Sequence, residues 1–435
     1  MEEKENVEIN SIPKLFWNTV QDRAEKIAMR EKHLGIWQET TWSSYGKSAK
    51  FTGLALRSLG LEKGDVVSIA SEGIPEWLFT DMGTIGAGGI SSGIYTTDSA
   101  AQVKYLVNDS KTKFYFAENE EQLDKILEVR NECPSLKKII VYDMEGLNDF
   151  KDDQVLSYEE FIQLGKKLDS DQPDLWLQLI KSVEADDIAI LVYTSGTTGP
   201  SKGAMINHKN LLYSVNTGVE IFEAREHEEQ LSFLPLCHIL ERSVSVMFPL
   251  KTGAVVNFAE SIDTVPENIR EVSPTVFVAV PRIWEKFYSS ITILMKDATF
   301  IGRYFYNLSI NTGAKYKEYF IEGKEPPLKL KLMFWICNQL VLKNIKKLLG
   351  LNNCRYALSG AAPISPELIN WYLSLGIDMR EGWGMTETAG VGTAFYSREI
   401  KLGHVGRAVN NSEVRIADDG EILFKGPGVF CGYLN

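Results

Sequence analysis

Between Asp65 and Asp143, short β-rich runs alternate with helical stretches, and no other feature narrows the fold as far. The runs are VVSIAS from Val66, KFYFA from Lys113 and KIIVY from Lys138. Strands separated by helices pair in parallel, so this region reads as a parallel α/β sheet. The acidic, weakly patterned stretch from Lys151 to Asp187 reads as a connector. A second α/β alternation then opens with AILVYT and continues with strands at Leu231 to Leu236, Ala254 to Ala259, Pro274 to Val280 and Arg355 to Ser359. Ser99 with Gln102 spells a capping box, and Ser365 before Pro366 joins a cap to a helix-starting proline. Beyond Gly392 the strands shorten around an Asp419-Gly420 hairpin turn, the mark of a small antiparallel unit.

A net charge of -12 argues against a sequence-blind grip on nucleic acid, which needs clustered Lys and Arg. Any anionic ligand must be held locally. The cysteines, Cys133, Cys237, Cys337, Cys354 and Cys431, form no CxxC pair, so neither zinc nor a disulfide framework is indicated and a cytoplasmic protein is expected. The acidic N-terminus MEEKENVEIN lacks the basic start and apolar core of a secretory signal. Apolar runs such as Leu332 to Leu342 fall short of the roughly 20 residues that span a bilayer.

The segment YTSGTTGPSKGA, Tyr193 to Ala204, follows an apolar strand. Its glycines let backbone amides turn toward one point, its hydroxyls add donors and Lys202 adds positive charge, which together suit a polyphosphate. The spacing is not that of the common P-loop, so that motif's geometry is not implied. A solvated turn is the bland alternative, disfavoured by eight consecutive Gly, Ser, Thr and Pro residues between a strand and Lys202.

Together with LPLCHILER from Leu234, SGAAPISPEL from Ser359 and EGWGMTET from Glu381, this segment resembles the adenylate-forming superfamily of acyl-CoA synthetases, luciferases and peptide-synthetase adenylation domains. The resemblance covers essentially the whole chain and implies the family's large N-terminal domain. Its fold would be two stacked parallel-sheet α/β subdomains, about 40–170 and 185–390, the second with a helical insert at about 300–350, plus the start of a small distorted antiparallel β-barrel from 391 to 435.

On the matched motifs, Thr194, Ser195, Gly196, Thr197, Thr198, Gly199 and Lys202 would wrap the β- and γ-phosphates of ATP. Gly360, Ala361 and Ala362 would line the adenine, with Glu381, Gly382, Trp383, Gly384 and Met385 completing the nucleotide site. Trp383 stands where relatives commonly carry Tyr, which keeps stacking and loses a hydroxyl. Thr386 resembles the residue that contacts the α-phosphate, and Glu387, with the Thr194 hydroxyl, the pair that holds Mg²⁺. His238 matches the histidine beside the acyl carboxylate, although a lone His among apolar residues is more often a satisfied core residue.

Peptide-synthetase domains place an aspartate after the equivalent of LPLCH to meet a substrate amine. Here Ile239, Leu240, Glu241 and Arg242 follow, so a simple carboxylate is favoured, with Glu241 leaving the matter open. The wide spacing between Pro281 and SGAAP is similar to that of long-chain and bubblegum-type members, which implies a long-chain fatty acid as substrate and coenzyme A as acceptor. Medium-chain or aryl acids, a luciferase-like oxidative enzyme and a nucleotide- or acyl-binding protein without turnover are the rivals. Relatives continue past GVFCGYLN with a ribose-binding aspartate and a C-terminal domain bearing the adenylation lysine, so this polypeptide is expected to belong to a longer enzyme and to form acyl-CoA poorly by itself. From Lys324 to Lys347 six lysines face one glutamate among apolar residues. That segment is either a helix packed on the second sheet or a peripheral contact with an anionic membrane.

Overall fold

The computed structural model describes residues 6–194, 199–396 and 400–435. Its first sheet has seven strands in the spatial order Val155–Ser157, Lys138–Val141, Phe114–Ala117, Val66–Ala70, Ile90–Ile94, Ile188–Thr194 and Lys202–Asn207. All neighbours are parallel except the last pair, a β-hairpin that registers Thr194 against Lys202. Val66–Ala70 is buried throughout and is apolar except for Ser68, whose hydroxyl pairs with that of Thr112 at 2.6 Å. The strand Ile188–Thr194, read from sequence as the opening of the second layer, pairs with Ile90–Ile94 and so extends the first sheet.

The second layer is two smaller sheets set edge to edge. Glu229–Ser232, Val255–Phe258, Ile27–His33 and Ile36–Thr41 make one, and the parallel trio Val276–Ala279, Tyr356–Ser359 and Met379–Glu381 makes the other. Thr275 stitches them: its N–H donates to the Glu229 carbonyl and its hydroxyl accepts from the Glu229 N–H, both at 2.9 Å. The stretch read as a connector holds Val155–Ser157 and the helices Tyr158–Asp171 and Leu175–Ser182, whose Trp176 is buried against Gly53 and Gly86. Past Gly392 the described residues form two antiparallel ribbons, Thr393–Ala394 with Arg407–Ala408 and Glu413–Ile416 with Ile422–Lys425. The capping box at Ser99 and the cap at Ser365 form as read. Among the described residues no helix is long and apolar enough to cross a membrane.

The insert comprises the helices Pro281–Asp297 and Phe300–Ile321 and a third helix that starts as Leu328–Cys337, widens to a π-helical stretch at Asn338–Leu342 and ends as Lys343–Leu348. Phe300–Ile321 packs on helix Pro366–Ser374, where a side chain at Gly313 would lie 1.9 Å from the Ser374 carbonyl oxygen. The third helix rests on it through stacked rings of Phe334 and Tyr316, 4.2 Å apart, and its later residues Leu342 and Ile345 are buried in the core that covers the second sheet.

One charge pair ties the layers together. Asp81, on helix Pro75–Gly86 over the first sheet, accepts a hydrogen bond from Arg242, which follows the His238 turn, and both side chains are 0% exposed. The guanidinium also lies 5.0 Å from the Trp77 ring centroid. Burial pushes the Asp81 carboxyl up, and the Arg242 charge opposes that rise. Removing one partner strands a buried charge, so Asp81→Asn or Arg242→Met alone should lower the unfolding free energy in urea by about 3–5 kcal/mol. Asp81→Leu combined with Arg242→Met should recover most of that loss, and equal losses in single and double variants would contradict the pairing.

Candidate active site

In open α/β sheets ligands gather beyond the carboxyl ends of strands. Here that rule collects residues from both layers: Tyr95 after Ile90–Ile94, Thr194 closing Ile188–Thr194, the turn to His238 after Glu229–Ser232, Gly360 after Tyr356–Ser359, and Gly382 after Met379–Glu381. A cavity of about 270 Å³ lies between them. One end is lined by Gly360, Ala361, Gly382, Trp383, Gly384, Met385 and Thr386, and the rest by apolar side chains including Val215, Ile221, Phe222, Val244 and Phe248. Phe222 closes the far end, edge to face with Phe248 at 5.3 Å and with Tyr356 at 5.1 Å. Trp383 can lie over Gly392 because that residue has no side chain; a Cβ there would come within 2.5 Å of the ring. Ala361 sits at φ 67, a left-handed conformation that costs a non-glycine residue energy and so marks a loop shaped by more than local preference.

A second cavity, of about 380 Å³, meets the first at His238 and Thr386 and is lined by Tyr95, Asp98, Thr194 and Ser201 among others. The apolar cavity and the hydroxyl-bearing one thus share two polar residues at their junction. Cys237 also faces the second cavity, but burial, with Asp98 nearby, pushes its thiol up to about 12, so it is no thiolate nucleophile.

The His238 Nδ1 accepts the Leu240 N–H at 3.2 Å, and burial lowers the ring's pKa. A neutral ring whose Nδ1 is an acceptor carries its proton on Nε2, leaving one N–H donor. The Glu241 question is answered by geometry. Its carboxylate is buried and accepts from the Ser232 hydroxyl at 2.6 Å and the Ser245 hydroxyl at 2.7 Å, outside the lining of either cavity. It anchors the turn that carries His238 and is not poised to meet a substrate amine.

Lys202 and Glu387 come together around Tyr433. The segment after Phe430 runs along Lys202–Asn207, with the Cys431 N–H donating to Met205 at 2.9 Å and the Leu434 N–H to Gly203 at 2.8 Å. The Tyr433 hydroxyl donates to Glu387 Oε1 at 2.6 Å, which pushes the phenol up to about 12, and Lys202 Nζ lies 5.4 Å from the ring centroid. Among the described residues no three His, Cys, Asp or Glu side chains cluster as a protein-made metal cage. Magnesium characteristically takes one or two carboxylates and completes its shell with water and substrate phosphates, and Glu387 with the Thr194 hydroxyl fits that habit.

Of the residues singled out from sequence, Gly360, Ala361, Gly382, Trp383, Gly384, Met385, Thr386 and His238 line the first cavity and Thr194 the second. Gly199 is exposed beyond the strand end, and Ser195, Gly196, Thr197 and Thr198 lie outside the described residues. Ala362 is exposed beside the cavity, whereas Glu381 is buried with its carboxylate accepting the Ile364 N–H. Tyr95, Asp98 and Tyr433 were not legible as site residues, because each depends on a strand pairing that brings distant segments together.

This fold, with an apolar cavity beyond the strand ends, is shared by solved domains of acyl-CoA ligases. The N-terminal domain of FACL13 from Mycobacterium tuberculosis shares it at a TM-score of 0.70 and 19% identity, covering 98% of this chain and 92% of that one. The anthranilate CoA ligase AuaEII, solved with anthranoyl-AMP, does so at 0.69 and 20%, covering 98% and 70%. The chain belongs to the AMP-binding enzyme family, whose model matches residues 16–434. It is 32% identical over 438 residues to the long-chain-fatty-acid–CoA ligase ACSBG2 of Xenopus laevis, covering 98% of this chain and 58% of that protein. It is also 32% identical over 402 residues to the long-chain-fatty-acid–CoA ligase FadD15 of Mycobacterium bovis, covering 92% and 64%. The chain therefore spans about 60% of the length of these relatives.

The buried Glu241 makes stability pH-dependent. Desolvation raises its folded-state pKa from 4.5 to about 7, so its contribution to stability is fully present below pH 4.5 and is lost as the pH rises through 7. The loss is on the order of 3 kcal/mol. Thermal melts across this range should show Glu241→Gln gaining on the wild type as pH increases, whatever the constant offset between them; parallel curves would contradict the assignment.

Proposed function

We propose that the chain carries the adenylation site of a long-chain fatty acid–CoA ligase, which joins a fatty carboxylate to AMP and then passes the acyl group to coenzyme A. The observation that carries this reading is the cavity that begins at the nucleotide-loop residues Gly360 and Thr386 and ends against Phe222 and Phe248, walled by apolar side chains. A polar head of nucleotide and carboxylate at one end and a methylene chain at the other match that lining. The curated relatives named long-chain-fatty-acid–CoA ligases support the same substrate class.

The chemistry needs no protein nucleophile. An oxygen of the fatty carboxylate attacks the α-phosphorus of ATP in line, the bond to the bridging oxygen breaks, and its electron pair leaves with pyrophosphate. Neutral His238 donates its Nε2–H to the carboxylate and orients it without adding a proton to it. Thr386, at the junction of the two cavities, steadies the α-phosphate. Lys202 draws charge from the departing pyrophosphate, together with the loop Thr194 to Gly199. Magnesium, when bound by Glu387 and the Thr194 hydroxyl, supplies further charge neutralisation there. A thiol then attacks the acyl carbon, AMP leaves with the electron pair of the broken bond, and the thiol proton passes to solvent. Free cysteines, four buried and one exposed, support a reducing compartment such as the cytoplasm.

Extended to a complete C-terminal domain, the chain should exchange labelled pyrophosphate into ATP when palmitate is present, and Lys202→Ala and Glu387→Gln should each slow that exchange roughly a hundredfold. A chain that binds a palmitoyl-adenylate mimic yet catalyses no exchange would instead be the binding protein without turnover. His238→Gln, which keeps an N–H donor, should retain more activity than His238→Ala. Because burial lowers the His238 pKa, the wild-type rate should fall only on the acid side of pH 6.5, the ring's ordinary value; a loss on the alkaline side traced to His238 would contradict the neutral-donor role.

A further inference from the structure

The helical insert exposes apolar surface that none of the described residues covers. Fifteen of the twenty-eight exposed large hydrophobic side chains among the described residues fall between Tyr288 and Leu348. On helix Phe300–Ile321 they recur at Phe300, Ile301, Tyr304 and Phe305, one stripe at helical spacing. The neighbouring helix adds Leu332 and Trp335, and Phe300 and Trp335 are 77% and 58% exposed. An open groove of about 430 Å³, with Leu294, Phe305, Leu340 and Leu348 in its walls, joins the three helices into one surface. A patch of this extent is uncommon on a soluble surface unless it meets a partner.

Charge identifies the partner. Residues 281–350 hold twelve Lys and Arg against five Asp and Glu, a local excess of seven positive charges in a chain whose net charge is -12. Lys296, Arg303, Lys343 and Lys347 each stand beside a groove residue in sequence, all four are exposed, and none makes an ion pair among the described residues. A second copy of the chain would bring a like-charged shoulder against these cations. Lipid headgroups bring anions, with acyl tails beneath them for the aromatic and aliphatic side chains.

We propose that this face of the insert, centred on the groove between Leu294, Phe305, Leu340 and Leu348, docks on an anionic lipid bilayer. The surface extends beyond the lysine-rich segment 324–347, because the N-terminal half of Phe300–Ile321 supplies three of its exposed rings, Phe300 the most exposed of all. Docking does not depend on the proposed chemistry and is measured without it.

The test is co-sedimentation of the full chain with phosphatidylcholine vesicles that either contain or lack phosphatidylglycerol. The wild type should pellet with the anionic vesicles only. Lys296→Glu/Lys343→Glu/Lys347→Glu should weaken that binding by more than about tenfold. Phe305→Ser/Trp335→Ser should also weaken it, with the cooperative unfolding transition retained because neither side chain lies in the buried core. A wild type that stays in the supernatant, or variants that pellet as well as it does, would overturn the proposal. So would a dimer in sedimentation velocity that the Phe305→Ser/Trp335→Ser variant dissolves, since a second copy would then cover the face.

Discussion

The Asp81–Arg242 pair is the contact on which the site's geometry depends. Arg242 begins the π-helical turn Arg242–Met247, which follows directly on His238 and Glu241. By pinning that turn to a helix over the first sheet, the pair fixes His238 between the two layers. A π-helical turn presents side chains off the ordinary helical spacing and often marks a working site; here Ser243 and Val244 face the apolar cavity. Two charges withdrawn from water are a costly way to join layers, and an apolar contact of the same volume would hold them as firmly. What the pair adds is direction, since a hydrogen-bonded guanidinium tolerates far less rotation than a methyl group.

Much of this was legible in the residues and some was not, for physical reasons. Buried parallel strands announce themselves as short apolar runs, so Val66–Ala70, Phe114–Ala117 and Tyr356–Ser359 were read close to their observed bounds. Which strand lies beside which is not a local property. Ile188–Thr194 therefore appeared to open a new layer when it extends the first, and Ile27–His33 gave no sign that it would pair with Val255–Phe258. The stretch Lys151 to Asp187 looked featureless because acidic residues interrupt its apolar face, yet Phe161, Trp176 and Ile180 are buried in the core and Trp176 fills the gap left by Gly53 and Gly86.

The same limit applied to the site. His238 and Thr386 were found through their motifs, and the structure places both at the junction of two cavities. Glu241, adjacent to the motif histidine, invited a role with substrate that its hydrogen bonds to Ser232 and Ser245 exclude. Tyr433 carried no signal in sequence, since its contact with Glu387 arises only when the segment after Phe430 lies along Lys202–Asn207. Two charged groups, Lys202 and Glu387, thus share one aromatic neighbour, which joins the segment after Phe430 to the strand Lys202–Asn207.

The central claim is that one cavity receives both the nucleotide and the acyl chain. Its most direct test is a crystal structure with a hydrolysis-resistant hexadecanoyl-adenylate mimic. The account predicts adenine against Gly360, Ala361 and Trp383, with the alkyl chain running between helix His208–Ile221 and the turn Arg242–Met247 toward Phe222. An alkyl chain lodged elsewhere, such as in the groove of the helical insert, or an adenine far from Gly360, would contradict it.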